Sequence, residues 1–286
     1  MAGFTMRAPR VAETDAIGVA LLRWGAGDPL GTGLQAGDFG WLQRNGAAWV
    51  TENFLVWDDA GGELVAGGFR EGKDGLWLQI DPARVQDRDL ARAIVDGAQE
   101  AGLREVSGPA APSAVRAELA ARGAAIDPHP WPHLWRPLTD ADLIEVADVF
   151  STGTEHLIGE RIAVQRSAFE NSTFTREKWA AMAGGPLFRP DLDLVALNGA
   201  GVGVSALTAW FPAGAGCGVI EPMGTHRDHW RQGHGSRVLR ASFAALRRLG
   251  ADGVRVGVER SNAAAIAAYA SVGFRVVGYD TTMLLP

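Results

Sequence analysis

Residues 226–239 read His226-Arg227-Asp228-His229-Trp230-Arg231-Gln232-Gly233-His234-Gly235-Ser236-Arg237-Val238-Leu239, and they join two unlike patterns. Before them runs an apolar segment, Gly218-Val219-Ile220-Glu221-Pro222-Met223; after them Leu239, Phe243 and Leu246 recur on one face of a helix. The order is strand, basic glycine turn, helix. Gly233 and Gly235 let the backbone bend where a side chain would clash. The first N–H groups of the helix then point unpaired into the turn. With the helix dipole and the flanking arginines they form an anion site, most naturally one for a phosphate. A dinucleotide fingerprint is excluded, because Val238 stands where the third glycine of G-x-G-x-x-G belongs, and the G-K-[ST] of a Walker loop is absent.

The 286 residues suit one large domain or two ordinary ones. An apolar content of 47% and a charged content of 21% are those of a soluble globular protein. The formal net charge of −6 and the lack of a long basic run argue against a nucleic-acid surface. The single cysteine, Cys217, excludes an intrachain disulfide and fits a reducing compartment. Residues 16–22 are too short and too closely preceded by Glu13 and Asp15 for a signal peptide, and no apolar run reaches membrane-span length. A cytoplasmic protein without a membrane partner is expected.

Along the chain, Thr14-Asp15 can cap a helix through Leu22. Residues 54–57 and 63–69 read as a hairpin around Asp58-Asp59-Ala60-Gly61-Gly62, and 76–81 as a further strand. Asp87 caps a helix that Gly102 stops, 104–106 is a short strand, and 112–121 is helical up to Gly123. Residues 124–140, with Pro128, Pro130, Pro132 and Pro137, can only be extended. A helix is expected from Asp140 or Asp142 to about Phe150, then further helices at 159–169 and 175–182. Asn198-Gly199 joins two strands as a hairpin. Past the glycine turn come a helix to Leu249, a strand at 254–259, a helix at 262–271 and a last strand from Arg275 to about Leu284. Shifted back by about 148 residues, Gly250 falls on Gly102, Val254 on Val106 and Asn262 on Ala114, while Gly273 meets Gly123 with slight slippage. Element order and spacing together indicate a duplicated fold of about 140 residues per copy. The first copy has Asp81-Pro82-Ala83-Arg84-Val85-Gln86-Asp87-Arg88-Asp89 where the second has its glycine turn; its acids would repel a phosphate.

The turn resembles the acyl-CoA motif [Q/R]-x-x-G-x-[G/A] of the GNAT N-acetyltransferase superfamily, with Gly233 and Gly235 on the small positions and Trp230 in place of the first Gln or Arg. Residues 262–274, Asn262-Ala263-Ala264-Ala265-Ile266-Ala267-Ala268-Tyr269-Ala270-Ser271-Val272-Gly273-Phe274, resemble the same family's N-x-x-A-x-x-x-Y-x-x-x-G-F signature in full. The resemblance is specific over about 190–286 and weak over 1–140. It implies an α+β protein of two tandem GNAT-like domains, 1–134 degenerate and 135–286 binding acetyl-CoA. It also implies N-acetyl transfer to a small-molecule amine in a ternary complex, by a monomer or homodimer. A tandem pair with one cofactor site, and the ending Tyr279-Asp280-Thr281-Thr282, are distantly similar to mycothiol synthase. Antibiotic acetylation is equally open, as is a CoA-binding regulatory protein without turnover.

The resemblance also implies site roles. The pyrophosphate would lie on Arg231, Gln232, Gly233, His234, Gly235 and Ser236. The pantetheine arm would pair with the strand end at Met223, Gly224 and Thr225 and touch Asn262 and Ala265. Glu221 is an acid in an apolar strand, where a carboxylate needs a partner or a purpose. It stands as general base, salt-bridge partner or substrate anchor, and Pro222 after it indicates a bulge or the family's strand splay. Tyr269, two turns into its helix, stands as general acid to the CoA sulfur, or as a core aromatic. Trp179, Trp210 and Trp230 can line an aromatic pocket, and Asp191 and Asp193 can face the amine. His226, His229 and His234 with Cys217 or Glu221 lack a standard metal spacing, so no metal is expected.

Overall fold

The computed structural model describes residues 3–25, 33–108, 112–212 and 216–286. The N-terminal half runs β1 (Thr5–Arg7), α1 (Thr14–Gly25), α2 (Ala36–Leu42), α3 (Ala47–Asn53), β2 (Phe54–Asp58), β3 (Leu64–Glu71), β4 (Gly75–Ile80), α4 (Arg88–Glu100), β5 (Glu105–Ser107), α5 (Ala114–Ala121), β6 (Ala125–Ile126) and β7 (Trp131–Pro137). The C-terminal half continues with β8 (Val149–Ser151), α6 (Glu155–Ala168), α7 (Arg176–Ala183), β9 (Asp193–Leu197), β10 (Gly203–Trp210), β11 (Cys217–Thr225), α8 (His234–Arg248), β12 (Gly253–Gly257), α9 (Ala263–Ser271), β13 (Arg275–Asp280) and β14 (Met283–Leu284).

These elements form two seven-stranded sheets, ordered β1-β2-β3-β4-β5-β14-β6 and β8-β9-β10-β11-β12-β7-β13. Position by position the two orders match, with one exchange. The last strand of each half fills the sixth place in the sheet of the other. The C-terminal stretch expected as one strand is therefore two: β13 ends the second sheet, while Met283 pairs with both Val106 and Ile126 in the first. Compact units follow this exchange. One holds Met1–Gln35, Ala47–His133 and Gly278–Pro286; the other holds Ala36–Gly46 and Leu134–Val277. A cut at 134/135 thus leaves out two segments that change sides.

The duplication extends to backbone detail. In each half a parallel pair, β4 with β5 and β11 with β12, is bridged by an amphipathic helix, α4 or α8. Leu90, Ile94 and Ala98 of α4 are buried in the first core, and Leu239, Phe243 and Leu246 of α8 in the second. Each large side chain so buried contributes roughly 1.5–3 kcal/mol. Gly102 and Gly250 end these helices at φ 75° and 90°, and Gly123 and Gly273 follow α5 and α9 at 84° and 95°. Left-handed backbone of this kind favours glycine. The halves diverge at the start of the bridging helix. Asp87 caps α4, its carboxylate accepting N–H bonds from Asp89 and Leu90 at 3.0 Å each. Gly233, at φ 82°, precedes α8 and supplies no capping side chain.

The helix expected from Asp140 to Phe150 is absent. Asp140–Asp142 is one 3-10 turn, in which Thr139 and Asp142 cap each other, and Val149–Ser151 is an edge strand paired with β9. No helix among the described residues is long and apolar enough to cross a membrane.

Candidate active site

The second unit is built around β11. Against β10 its register runs Ser205 to Thr225, Ala206 to Gly224 and Leu207 to Met223, then resumes at Ala209 to Ile220. Glu221 and Pro222 together oppose the single residue Thr208, which makes a bulge joined by a cis peptide bond. Bulges re-aim the side chains they carry. The Trp210 indole N–H donates to the Glu221 carbonyl at 2.6 Å and pins the bulge from the neighbouring strand.

On the opposite edge, β11 pairs with β12 only through Cys217, Gly218 and Val219. Beyond Val219 the two strands part. His226 donates its N–H to Val204 of β10, so by alternation the peptide groups of Met223 and Thr225 face the opened side. Gly224 serves packing: a Cβ there would lie 2.5 Å from Ala168 and 3.0 Å from Phe169.

The glycine turn follows directly. A Cβ on Gly233 would meet nothing within 4 Å, so the space above this backbone is open. At Gly235 a Cβ would come within 3.0 Å of the Met223 methyl. Arg231 holds a left-handed φ of 61°, a conformation rare for a side-chain-bearing residue. Trp230 is 60% exposed; its indole donates to the Thr225 carbonyl at 2.9 Å and fastens the turn to the strand end. His229, Gln232, His234 and Arg237 border a cavity of about 750 Å³ beside the turn. Burial and the Arg237 cation hold His234 below the usual histidine range, so it stays neutral near pH 7. Among the described residues no three or more His, Cys, Asp or Glu side chains come together as a metal-binding group.

Glu221 is half-buried, and that burial pushes its carboxyl up to about 7 against the pull of Arg44. Tyr269, 5% exposed, packs edge-on to Phe274 at 5.3 Å. Burial first, and the Glu221 charge second, raise its hydroxyl well above the usual range and keep it protonated. The two residues therefore lie within electrostatic reach of each other. Ala265 packs beside Tyr269 against the core. Asn262 caps α9, its Oδ1 accepting from Ala265 N at 3.0 Å, so its side-chain oxygen is already engaged.

The segment Ala36–Gly46, unread in the sequence, supplies the other wall. Gly37 of α2 sits so close that a Cβ would lie 2.6 Å from the Glu221 Cβ, and one on Gly40 would strike the Trp210 ring at 2.3 Å. Two glycines three apart among Phe39, Trp41 and Leu42 were the available signal of this close packing. Arg44 follows, its guanidinium 4.2 Å over the Trp41 ring and donating to the Trp41 carbonyl at 2.7 Å. Burial lowers Arg44 to about 10, which leaves it cationic.

Asp193 does not face an acceptor. It is fully buried, takes the Arg161 Nε–H at 3.1 Å, and accepts from Thr208 at 2.7 Å, Thr152 at 2.6 Å and the Trp179 indole at 2.9 Å. Asp191 instead pairs with Arg189 at the surface, at 3.1 Å. Trp210 is core, and Phe188 bridges it to Trp179 at 6.5 and 5.9 Å.

Residues 162–274 match the model of the acetyltransferase (GNAT) family. No curated protein matches the chain. Solved structures do. A tandem GNAT protein from the clavulanic acid biosynthesis pathway superposes with TM-score 0.60 at 17% identity, over 98% of this chain and 98% of that one. An acetyltransferase from the GNAT family of Colwellia psychrerythraea gives 0.63 at 12% identity, over 99% and 100%. A GCN5-related N-acetyltransferase from Sphaerobacter thermophilus gives 0.59 at 18% identity, over 98% and 94%. At such identities the likeness is one of fold. The architecture is that of two tandem GNAT-like α+β domains, and in the first the helix N-terminus is filled by its own Asp87.

Proposed function

We propose, on the premise that residues 162–274 carry a GNAT-family domain, that the protein transfers an acetyl group from acetyl-CoA to the amine of a small molecule, directly within a ternary complex. The observation that carries this reading is the parting of β11 from β12 beyond Val219, with an uncapped helix N-terminus at its far end and Glu221 on the parted stretch of the strand. The residues fit a CoA ester. The N–H groups of His234, Gly235 and Ser236 open α8 without a capping side chain, and the open space over Gly233 admits a phosphate. Met223 and Thr225 turn peptide groups to the free strand edge, where an extended amide-bearing arm can pair. The thioester supplies the acyl group.

Glu221 takes a proton from the attacking amine, directly or through water. Nitrogen forms the new bond to the acyl carbon and the carbon–sulfur bond breaks. Tyr269 gives its proton to the leaving thiolate. The test is release of CoA thiol from acetyl-CoA across a panel of amines. Tyr269→Phe is expected to lower kcat by about 10²-fold, and an unaltered kcat removes Tyr269 from the reaction. A protein stabilised by CoA that releases no thiol with any amine is a binding protein, and acyl transfer is then rejected.

Gly233→Val probes the turn separately. A β-branched residue at φ 82° costs about 1–3 kcal/mol. Rotation of the turn to relieve that strain moves the α8 N–H groups off the phosphate. CoA binding, followed by titration calorimetry, is expected to weaken about ten- to a hundredfold. An unchanged Kd places the pyrophosphate elsewhere.

A further inference from the structure

Arg44 stands out among the charged groups of the second unit. It is partly buried, among the described residues it makes a single hydrogen bond, to Trp41, and it stacks on that ring at 4.2 Å. Among the described residues it enters no ion pair within 4.0 Å. Arg161 shows the contrast: its guanidinium is spent on Asp193, Gln165 and Thr208. A guanidinium carries five donors in a planar fork, and most of those of Arg44 meet no acceptor among the described residues. None of its nitrogens is both buried and unbonded, so the free donors are open to solvent and available to an anionic ligand.

Its position is held firmly. Gly37 and Gly40 bring α2 against Glu221 and Trp210, and Trp41 packs on Phe174 at 5.1 Å. Arg44 and Glu221 act on each other electrostatically without closing into a contact pair. The helix that lays Gly37 against the Glu221 Cβ also carries the Trp41 ring on which Arg44 stacks, so the cation stands on the side of β11 where α2 meets Glu221. A simple cationic amine would meet attraction from Glu221 and repulsion from Arg44. An acceptor carrying its own anion, a few bonds from the amine, satisfies both charges at once.

From this juxtaposition we infer that Arg44 selects an acceptor whose amine lies near an anionic group, a carboxylate or a phosphate, with Arg44 gripping the anion and Glu221 receiving the amine. This rests on the acyl-transfer reading of Glu221 given above. Arg44 is a specificity residue, and Trp41 positions it.

The test compares amines with and without the anion: phenylalanine against phenethylamine, lysine against cadaverine, and phosphoethanolamine against ethanolamine. Wild type is expected to favour an anionic member over its parent by at least about 30-fold in kcat/KM, from one charge-assisted bidentate contact. The first two pairs report a carboxylate and the third a phosphate. Arg44→Met, which keeps the stem, is expected to bring that ratio to within about threefold of one. Arg44→Lys, which keeps the charge and loses the fork, should fall between. Circular dichroism melting verifies that each variant is folded. A wild type that prefers the parent amines, or an Arg44→Met that slows both members equally, overturns the proposal. Equal slowing would mark Arg44 as a charge partner of Glu221 only. If no amine releases CoA thiol, acyl transfer fails on its own account. Titration of tryptophan fluorescence with the same pairs then decides the anion reading, which stands if the anionic members bind about tenfold tighter and Arg44→Met removes the difference. It falls if they do not.

Discussion

Glu221→Gln is expected, if Glu221 is the base proposed above, to lower kcat/KM for acetyl transfer by about 10²–10⁴-fold, the usual contribution of a positioned general base. The wild-type rate should itself fall as pH drops through about 7, where the carboxyl takes up the proton that disables it. Stability carries the same signature with the opposite benefit. Burial raises the Glu221 carboxyl from the ordinary 4.5 to about 7, so the fold favours the neutral acid. The associated stabilisation is complete below pH 4.5 and is lost as pH rises through about 7. Glutamine has no charge to bury. The variant should therefore melt higher than wild type at pH 8, by on the order of 1 kcal/mol or about 2–4 °C, and should show no such advantage at pH 4.5. Catalytic loss joined to a stability gain at alkaline pH separates a base from a structural anchor. An anchor would cost stability when neutralised. A variant that melts lower at pH 8 would sink the assignment.

Glu221 was legible as a candidate in the sequence because an acid in an apolar strand is an anomaly that local pattern exposes, and it lies on β11 past the last residue paired with β12. Tyr269 was legible as a candidate through the spacing of residues 262–274. Arg44 was not found. The seven-residue helix just before it, Ala36–Leu42, has two glycines, which intrinsic propensity would not make helical. It forms because Gly37 and Gly40 fit against Glu221 and Trp210, contacts between residues far apart in the chain. The strand exchange was hidden for a related reason. Its prolines mark 124–140 as extended, and 275–284 reads as a strand, but neither signal says which sheet the segment joins. The misread helix at 140–150 shows the converse. Asp140 and Asp142 are a genuine capping signal, yet Asp142 spends its carboxylate on Thr139 N at 2.9 Å and Arg136 at 2.5 Å, and the chain turns away.

Asp193→Ala is expected to have the largest effect on stability, about 3–5 kcal/mol, or a fall in Tm of roughly 10 °C. Arg161 and Asp193 are both fully buried, and removing the carboxylate leaves an uncompensated cation together with Thr208, Thr152 and Trp179 donors that lose their acceptor. Urea unfolding of Asp193→Ala, Arg161→Met and the double variant measures the coupling. The double variant should be less destabilised than the sum of the singles by at least about 2 kcal/mol, because the second substitution removes the charge that the first has stranded. Strict additivity would mean that the pair contributes only through packing. The network also reaches the chemistry. Thr208, which donates to Asp193 and accepts from Arg161, is the residue opposite the Glu221–Pro222 bulge. Loss of its partner frees that side chain and with it the strand that aims Glu221. A folded Asp193→Asn, studied well below its Tm, should therefore show a displaced acid limb in its pH–rate profile. A purely structural ion pair would leave that limb at about 7.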